Sequence, residues 1–199
     1  MNPLLFLNTR GHVFNNGEFA LNLGLGGRVT APSKKWTVGL NGYYDYQSSS
    51  VLSPSQLGGG FELFISDYVL RFNGYAPIGT VKKTEGKRAA VALANLQGEV
   101  EKVLLTGEIH QFSGAIGAYY LTGRAFENRT FGKAWGSEIR ASVQLWQWVE
   151  LLFETTYDQI FDFTFQGIFA LTIPIGSRKK KLSRPIIRRE IVPLEKKKL

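Results

Sequence analysis

The sequence predicts an all-β protein, an antiparallel transmembrane β-barrel of about ten strands. Short segments of alternating apolar and polar residues recur along almost the whole chain of 199 residues. Aromatic residues make up 13% and glycines number 22, a mixture that suits pleated strands and disfavours helices. The apolar face of these segments carries large side chains, and the other face carries Gly, Asn, Gln and single charges. Barrels in membranes need that arrangement, because they are apolar towards lipid and polar inside.

The alternation is clearest in the first half of the chain. In residues 19–26, Phe and three Leu share one face, and Ala, Asn and two Gly share the other. Residues 36–46, 56–65 and 68–73 repeat the pattern with the same period of two. The segment 4–14 also has apolar residues, but its pattern is ambiguous.

The second half continues in residues 138–145, 149–158 and 161–173, with two less regular stretches at 92–100 and 110–121. The odd-numbered apolar positions from 161 to 173 are expected to face lipid. Together the segments give about ten strands separated by short turns. We assign residues 1–176 to the barrel and residues 177–199 to a post-barrel tail.

Aromatic residues lie near the ends of the predicted strands, as expected for girdles at two membrane interfaces. They are Trp36, Tyr44, Tyr46, Tyr68, Trp146, Trp148, Tyr157 and Phe161. The alternative is a soluble all-β protein that buries its aromatic residues in a core.

The net charge of +8 comes entirely from the tail. Residues 177–199 contain ten Lys or Arg and two Glu, whereas residues 1–176 contain 14 basic and 14 acidic residues. A basic tail can bind nucleic acid or anionic lipid. We favour a basic linker, and we predict no nucleic-acid partner.

No catalytic, cofactor or metal site is predicted, so the protein is not expected to be an enzyme. The chain has no cysteine, and its two histidines, His12 and His110, are nearly a hundred residues apart. No Gly-x-Ser-x-Gly sequence is present. The glycine run at 58–60 lacks the Gly-Lys-Ser/Thr ending of a phosphate loop and indicates a bend or close packing in the lumen.

Several charged and polar residues fall on the polar face and are candidates for the barrel lumen. They are Glu62, Arg71, Glu99, Glu138, Arg140, Glu154 and Gln166. We expect the charges to pair across strands, which makes their burial tolerable. A compatible interpretation is a lumen that holds an extended segment of polypeptide.

Four stretches resemble the β-domain of inverse autotransporters, the intimin/invasin family. Residues 22–46 contain Gly-Leu-Gly and then Gly-Leu-Asn-Gly-Tyr-Tyr-Asp, and residues 57–75 contain Gly-Gly-Phe-Glu and then Asp-Tyr-Val-Leu-Arg-Phe-Asn-Gly-Tyr. The sequence Gly-Ala-Tyr-Tyr-Leu at 117–121 is similar to a later strand of the family's barrel. Residues 184–192 resemble the post-barrel segment, with Arg184, Pro185, Arg188 and Glu190 as its motif.

The resemblance implies an outer-membrane barrel of type V secretion that translocates and anchors, without a cofactor, a segment passed through its lumen. It also implies outer-membrane lipid, periplasmic chaperones and the barrel-assembly machinery as partners, with a host receptor and cell adhesion only where a passenger exists. Barrels of the family have roughly twelve strands, an even number as in other closed barrels. We therefore expect an N-terminally truncated barrel whose first and last strands do not pair, without a signal peptide or a sizeable passenger.

Three other interpretations remain open from the sequence. The first is a small porin or structural barrel of the outer membrane. The second is a soluble barrel that binds an apolar ligand, with its apolar residues inside. The third is a truncated remnant without function.

Overall fold

The computed structural model describes residues 2–13, 17–33, 35–85, 88–126, 129–145, 149–171 and 192–198. Ten of its strands form one antiparallel sheet in the order β1-β2-β3-β4-β5-β8-β9-β12-β13-β14. These strands are β1 (Asn2–Val13), β2 (Phe19–Thr30), β3 (Trp36–Gln47), β4 (Ser55–Ile65), β5 (Tyr68–Ile78), β8 (Asn95–Thr106), β9 (His110–Leu121), β12 (Ala134–Leu145), β13 (Val149–Asp158) and β14 (Asp162–Leu171). The predicted all-β, antiparallel fold is confirmed.

The two stretches with irregular patterns form regular members of the sheet. Residues 110–121 form β9. The segment 92–100 is irregular because β7 ends at Ala92 and β8 begins only at Asn95. The register of β8 against β9 shifts between Val103 and Leu105. Such a bulge changes which face the next residue occupies, so the period of two is broken there.

The ten-stranded sheet is curled, and its two faces differ sharply in chemistry. We call the inner face the one that carries Glu62 (1% exposed) and Arg71 (0%), and the outer face the one that carries Leu40 (63%) and Ile139 (64%). In a soluble protein the charged residues are outside and the large apolar residues inside. This sheet has the reverse distribution, which an outer face in lipid explains.

Aromatic side chains mark both ends of the outer face. Trp36 and Tyr68 are exposed where β3 and β5 begin. At the opposite ends of the strands, the rings of Tyr120 and Trp135 lie 4.9 Å apart between centroids. These positions fit aromatic girdles at two interfaces. Trp146 and Trp148 lie outside the described residues.

The connections at the two ends of the sheet differ in length. The turn end has the connections 31–35, 66–67, 107–109 and 146–148, and the loop end has 14–18, 48–54, 79–94, 122–133 and 159–161. Two loop-end connections contain hairpins, formed by β6 (Lys82–Glu85) with β7 (Arg88–Ala92) and by β10 (Arg124–Phe126) with β11 (Arg129–Phe131). A fifteenth strand, β15 (Leu194–Lys198), lies in the tail.

β1 and β14 are the end strands of the sheet. Among the described residues, β1 pairs with β2 and β14 pairs with β13, and no ladder joins the two end strands. On β14, Phe163, Phe165 and Phe169 are 64–68% exposed, as predicted for a lipid-facing strand. None of the described residues form a helix long and apolar enough to span a bilayer.

Replacing Phe165 with Arg should destabilise the folded protein in lipid by about 2–4 kcal/mol, because a guanidinium near the bilayer midplane is poorly solvated. The matched replacement, Gln166→Arg, places the same group on the inner face and should cost much less. Denaturant titrations of both variants in phospholipid vesicles measure the difference. Equal losses at the two positions would contradict the assignment of the faces.

Candidate functional site: the inner face and the loop end

One row of cross-strand partners carries a line of charges around the inner face. In cross-strand register, Arg28 of β2 is paired with Gly39, Gly39 with Glu62, and Glu62 with Arg71. The row continues from Arg71 to Glu99, then to Gly117 and Glu138. We call these seven residues the charged row.

Ion pairs connect the charged row from β2 to β12. Arg28 Nη2 lies 2.8 Å from Glu62 Oε2. Arg71 Nη1 lies 2.6 Å from Glu99 Oε1 and 2.8 Å from Glu101 Oε2. From the adjacent row, Arg140 donates to both Glu99 and Glu101. All these side chains are buried, and carboxylates and guanidiniums tolerate burial only when they are paired.

Two glycines of the charged row let side chains meet over them. A Cβ atom on Gly39 would lie 2.9 Å from Glu62 Oε2 and 3.1 Å from the Cγ atom of Arg28. A Cβ atom on Gly117 would lie 2.7 Å from Glu138 Oε1. A larger residue at either position would therefore displace charged side chains of the neighbouring strands.

A second polar chain crosses the inner face nearer the loop end. His12 Nε2 and Asn22 Oδ1 are 2.9 Å apart, and Asn22 donates to Asp45 Oδ1 at 2.9 Å. Gln56 donates to the other oxygen of Asp45 at 2.9 Å. This series of polar contacts links four consecutive strands, β1 to β4. Together with the charged row, it connects neighbouring strands at two heights of the inner face.

Five of the seven lumen candidates named from the sequence are buried. The buried ones are Glu62, Arg71, Glu99, Glu138 and Arg140. Glu154 and Gln166 are partly buried, and they face each other in the register of β13 and β14. The motif residues Arg184, Pro185, Arg188 and Glu190 lie outside the described residues.

Sequence reasoning missed Arg28, which begins the charged row. The alternation along β2 could have identified it. The even-numbered positions of this strand share the inner face, and they are Asn22, Gly24, Gly26 and Arg28. The predicted alternation stops at residue 26, two positions short of this arginine. Arg28 also lies against aromatic rings, with its Cζ 4.6 Å from the centroid of Phe64.

The tail returns to the protein at the loop end. β15 pairs antiparallel with β7, and β7 pairs with β6, which gives a three-stranded sheet in the order β15-β7-β6. We call these three strands the cap. The backbone N–H of Leu93 also donates to the carbonyl of Pro193 at 2.9 Å.

Side-chain contacts tie the tail strand to the barrel and to the second hairpin. The N–H of Val192 donates to Gln47 Oε1 on the inner face at 3.1 Å. Glu195 Oε2 accepts from the N–H of Gly132 at 2.5 Å. Lys197 Nζ donates to the carbonyl of Thr130 at 2.9 Å. These contacts place residues 192–197 at the end of the barrel that carries the long loops.

The cap is packed on both sides by buried apolar residues. Val91 and Leu93 pack with Tyr119, Leu121 and Phe131. On the other side, Ala90 and Ala92 pack with Val192 and with residues 51–52 of the β3–β4 loop. Because Tyr119 and Leu121 belong to β9, the cap is continuous with the barrel wall. Among the described residues, no three His, Asp or Glu side chains are grouped to hold a metal ion.

The curled antiparallel sheet, its apolar outer face and its charged inner face define the class of the protein, a transmembrane β-barrel of the outer-membrane type. The family model "Inverse autotransporter, beta-domain" matches residues 2–95. Residues 2–95 are therefore similar to this family, which agrees with the resemblance seen in the sequence and supports an inverse autotransporter barrel domain of the outer membrane. The family is one of translocator domains and not of enzymes.

The fold also matches a solved structure described as "Unveiling the Mechanism Behind the in-meso Crystallization of Membrane Proteins". That match has a TM-score of 0.61 and 14% identity, and it covers 98% of this chain and 92% of the other. At this identity the match shows the similarity of fold alone. No curated protein matches the sequence.

Replacing Arg71 with Met should cost about 3–5 kcal/mol of folding free energy, because it leaves buried carboxylates without their cation. Among the ion pairs of the described residues, Glu99 and Glu101 would retain those with Arg140, and Glu62 would retain the one with Arg28. Lys83→Met on exposed β6 is the matched control, and it should change stability little. Urea titrations of both variants give the values, and a loss below about 1 kcal/mol at Arg71 would contradict a structural role for the charged row.

Replacing Glu195 with Pro should detach the tail strand. Glu195 pairs with Val91, and this is a hydrogen-bonded pair because the N–H of Leu93 donates to Pro193 two positions away, whereas proline has no N–H to donate to a ladder. Glu195→Thr, which loses the same carboxylate but keeps the N–H and a β-favouring side chain, is the control. Hydrogen exchange of the amides in residues 194–198 reports the change. Slow exchange in the proline variant would show that the ladder is not what holds the tail.

Proposed function

We propose that this β-domain translocates and anchors the segment of its own chain that follows β14. The proposal rests on where two strands, β14 and β15, lie relative to the two ends of the barrel. β14 runs from the loop end and reaches the turn end at Leu171, whereas β15 lies in the cap at the loop end. The chain is therefore at the turn end of the barrel at Leu171 and at the loop end at Leu194.

The length of this segment is sufficient for the crossing. A strand of twelve residues such as β2 spans about 40 Å, at roughly 3.3 Å per residue. The 23 residue steps from Leu171 to Leu194 cover up to about 75 Å when extended. The segment can therefore pass through the lumen with residues to spare.

Charge favours the lumen over the lipid as the route. Residues 177–191 contain seven Lys or Arg and one Glu, which makes a path across the apolar outer face costly. The described inner face carries more acids than bases. The acids are Asp45, Glu62, Glu99, Glu101, Glu138, Glu150, Glu154 and Asp158, and the bases are Arg10, Arg28, Arg71 and Arg140. A basic segment is complementary to this surface.

The membrane orientation follows the general rule for outer-membrane barrels, which have short periplasmic turns and longer extracellular loops. The turn end then faces the periplasm, and the loop end with its cap faces the outside. Outer-membrane lipid is the partner of the apolar outer face. We include assembly by periplasmic chaperones and the barrel-assembly machinery in the proposal, and only the similarity to the family supports it.

A porin is less well supported than a translocator. The charged side chains of the inner face are almost completely buried, with Arg71 and Asp45 at 0% exposed. A water-filled channel would leave such groups accessible, as in the polar lumen of porins.

A disulfide between the tail and the inner face tests the route. Cysteines at Ile187 and Gln166 should form a disulfide under oxidation in the folded protein, because the native chain has no cysteine to compete. The matched control pairs Ile187→Cys with Phe165→Cys, one residue away on the outer face, and should give no disulfide. If neither Gln166 nor any other inner-face position crosslinks while protease quickly removes residues 178–199, the tail is outside and the proposal fails.

A further inference from the structure

The charged row alternates in sign until its last residue. From β2 onward its charges are positive at Arg28, negative at Glu62, positive at Arg71 and negative at Glu99. The next charge is Glu138, which is again negative and is separated from Glu99 only by Gly117. The row therefore ends where its alternation would place a cation.

The nearest described cation is engaged elsewhere. Arg140 lies two residues along β12 from Glu138, and its Nη1 and Nη2 atoms donate to Glu99 and Glu101. The charged groups that face Glu138 are Glu99, Glu154 and Arg140. Two of these three are acids.

Buried hydrogen-bonding atoms around Glu138 also have no partner among the residues that the structure describes. Glu138 is 4% exposed, and its Oε2 accepts from Gln97 Nε2 at 2.6 Å while its Oε1 has no donor. Gln97 is 8% exposed, and its Oε1 has no donor either. Buried polar groups in folded proteins almost always have partners.

The free atoms define the ligand that would fit. Both are acceptors, Oε1 of Glu138 and Oε1 of Gln97, and these two side chains are in contact through the bond from Gln97 Nε2 to Glu138 Oε2. A group with several N–H donors and a positive charge satisfies the acceptors and the carboxylate together. Guanidinium and ammonium groups have these properties.

We propose that Glu138 and Gln97 form a binding site in the lumen for a basic side chain of the chain's own segment 177–191. The inference rests on the proposed function, because it requires that segment to pass through the barrel. Glu138 lies four residues below the loop end of β12, about 13 Å along the strand. In the sequence, Arg188 and Arg189 precede Val192 by four and three residues, which is a comparable length of extended chain, and Val192 is bonded to Gln47.

The test measures how strongly the segment is held in the full-length folded protein in vesicles of outer-membrane phospholipid. Proteinase K is added, and the rate of cleavage within residues 177–191 is followed. Glu138→Gln should raise the rate about tenfold, the value expected for loss of one charge-assisted hydrogen bond. Glu108→Gln removes the same charge at the exposed turn end and should leave the rate unchanged.

A double-mutant cycle identifies the bound side chain. Arg184→Gln, Arg188→Gln and Arg189→Gln are each combined with Glu138→Gln. For the bound residue the two effects should not add, and the charge swap of Glu138→Arg with that arginine changed to Glu should restore the native rate within about twofold. Electrophoretic mobility of unheated samples establishes folding, and Gln97→Met serves as a second variant with the same expected direction.

Each outcome decides the proposal. A native cleavage rate in both Glu138→Gln and Gln97→Met overturns it, and indicates that Glu138 shares a proton with Glu99 and holds no cation. Full additivity with every arginine shows that the ligand is not this segment and also overturns it. If the 166–187 disulfide still forms in those cases, the tail passes through the lumen and only this inference fails. If the disulfide does not form, the proposed function fails first.

Discussion

The pairing of charges across the inner face is the constraint on which the rest of the barrel depends. Carboxylates and guanidiniums that are almost fully buried must meet partners, and here the partners belong to different strands. Arg71 on β5 contacts carboxylates of β8, and Arg140 on β12 contacts the same carboxylates from the other side. A slip of one residue in any of these strands would send a charge to the outer face, so the ion pairs and the register enforce each other.

The family match and the ion pairs together show that the two halves of the sheet form one unit. The family model ends at residue 95, where β8 begins. Arg71 lies inside the matched region, and its partners Glu99 and Glu101 lie beyond it. The second half of the sheet therefore completes the electrostatic balance of the first, although the family model does not reach it.

The sequence predicts which residues lie on each face of the sheet, but it does not predict which side chains contact each other. The parity of Phe163, Phe165 and Glu62 is local information, and a period of two is enough to assign it. That Arg140 contacts Glu99 depends on the order of β8, β9 and β12 and on two registers, which no local pattern contains. The cap was not predicted, because residues 196–198 are lysines in a basic run, and only their pairing with β7 makes them a strand. Propensity is a weak guide for such segments.

The cap joins strands that lie far apart in the sequence, which bears on the order in which the protein folds. Its central strand, β7, ends at Ala92, and the strand that completes it begins at Leu194, more than a hundred residues later. Contacts of such long sequence separation form slowly, because a large loop must close before any stabilising interaction is gained. The wall strands pair mostly with sequence neighbours and can form first. Until β15 arrives, the β6–β7 hairpin keeps one strand edge open, so we expect the cap to be completed after the wall strands have paired.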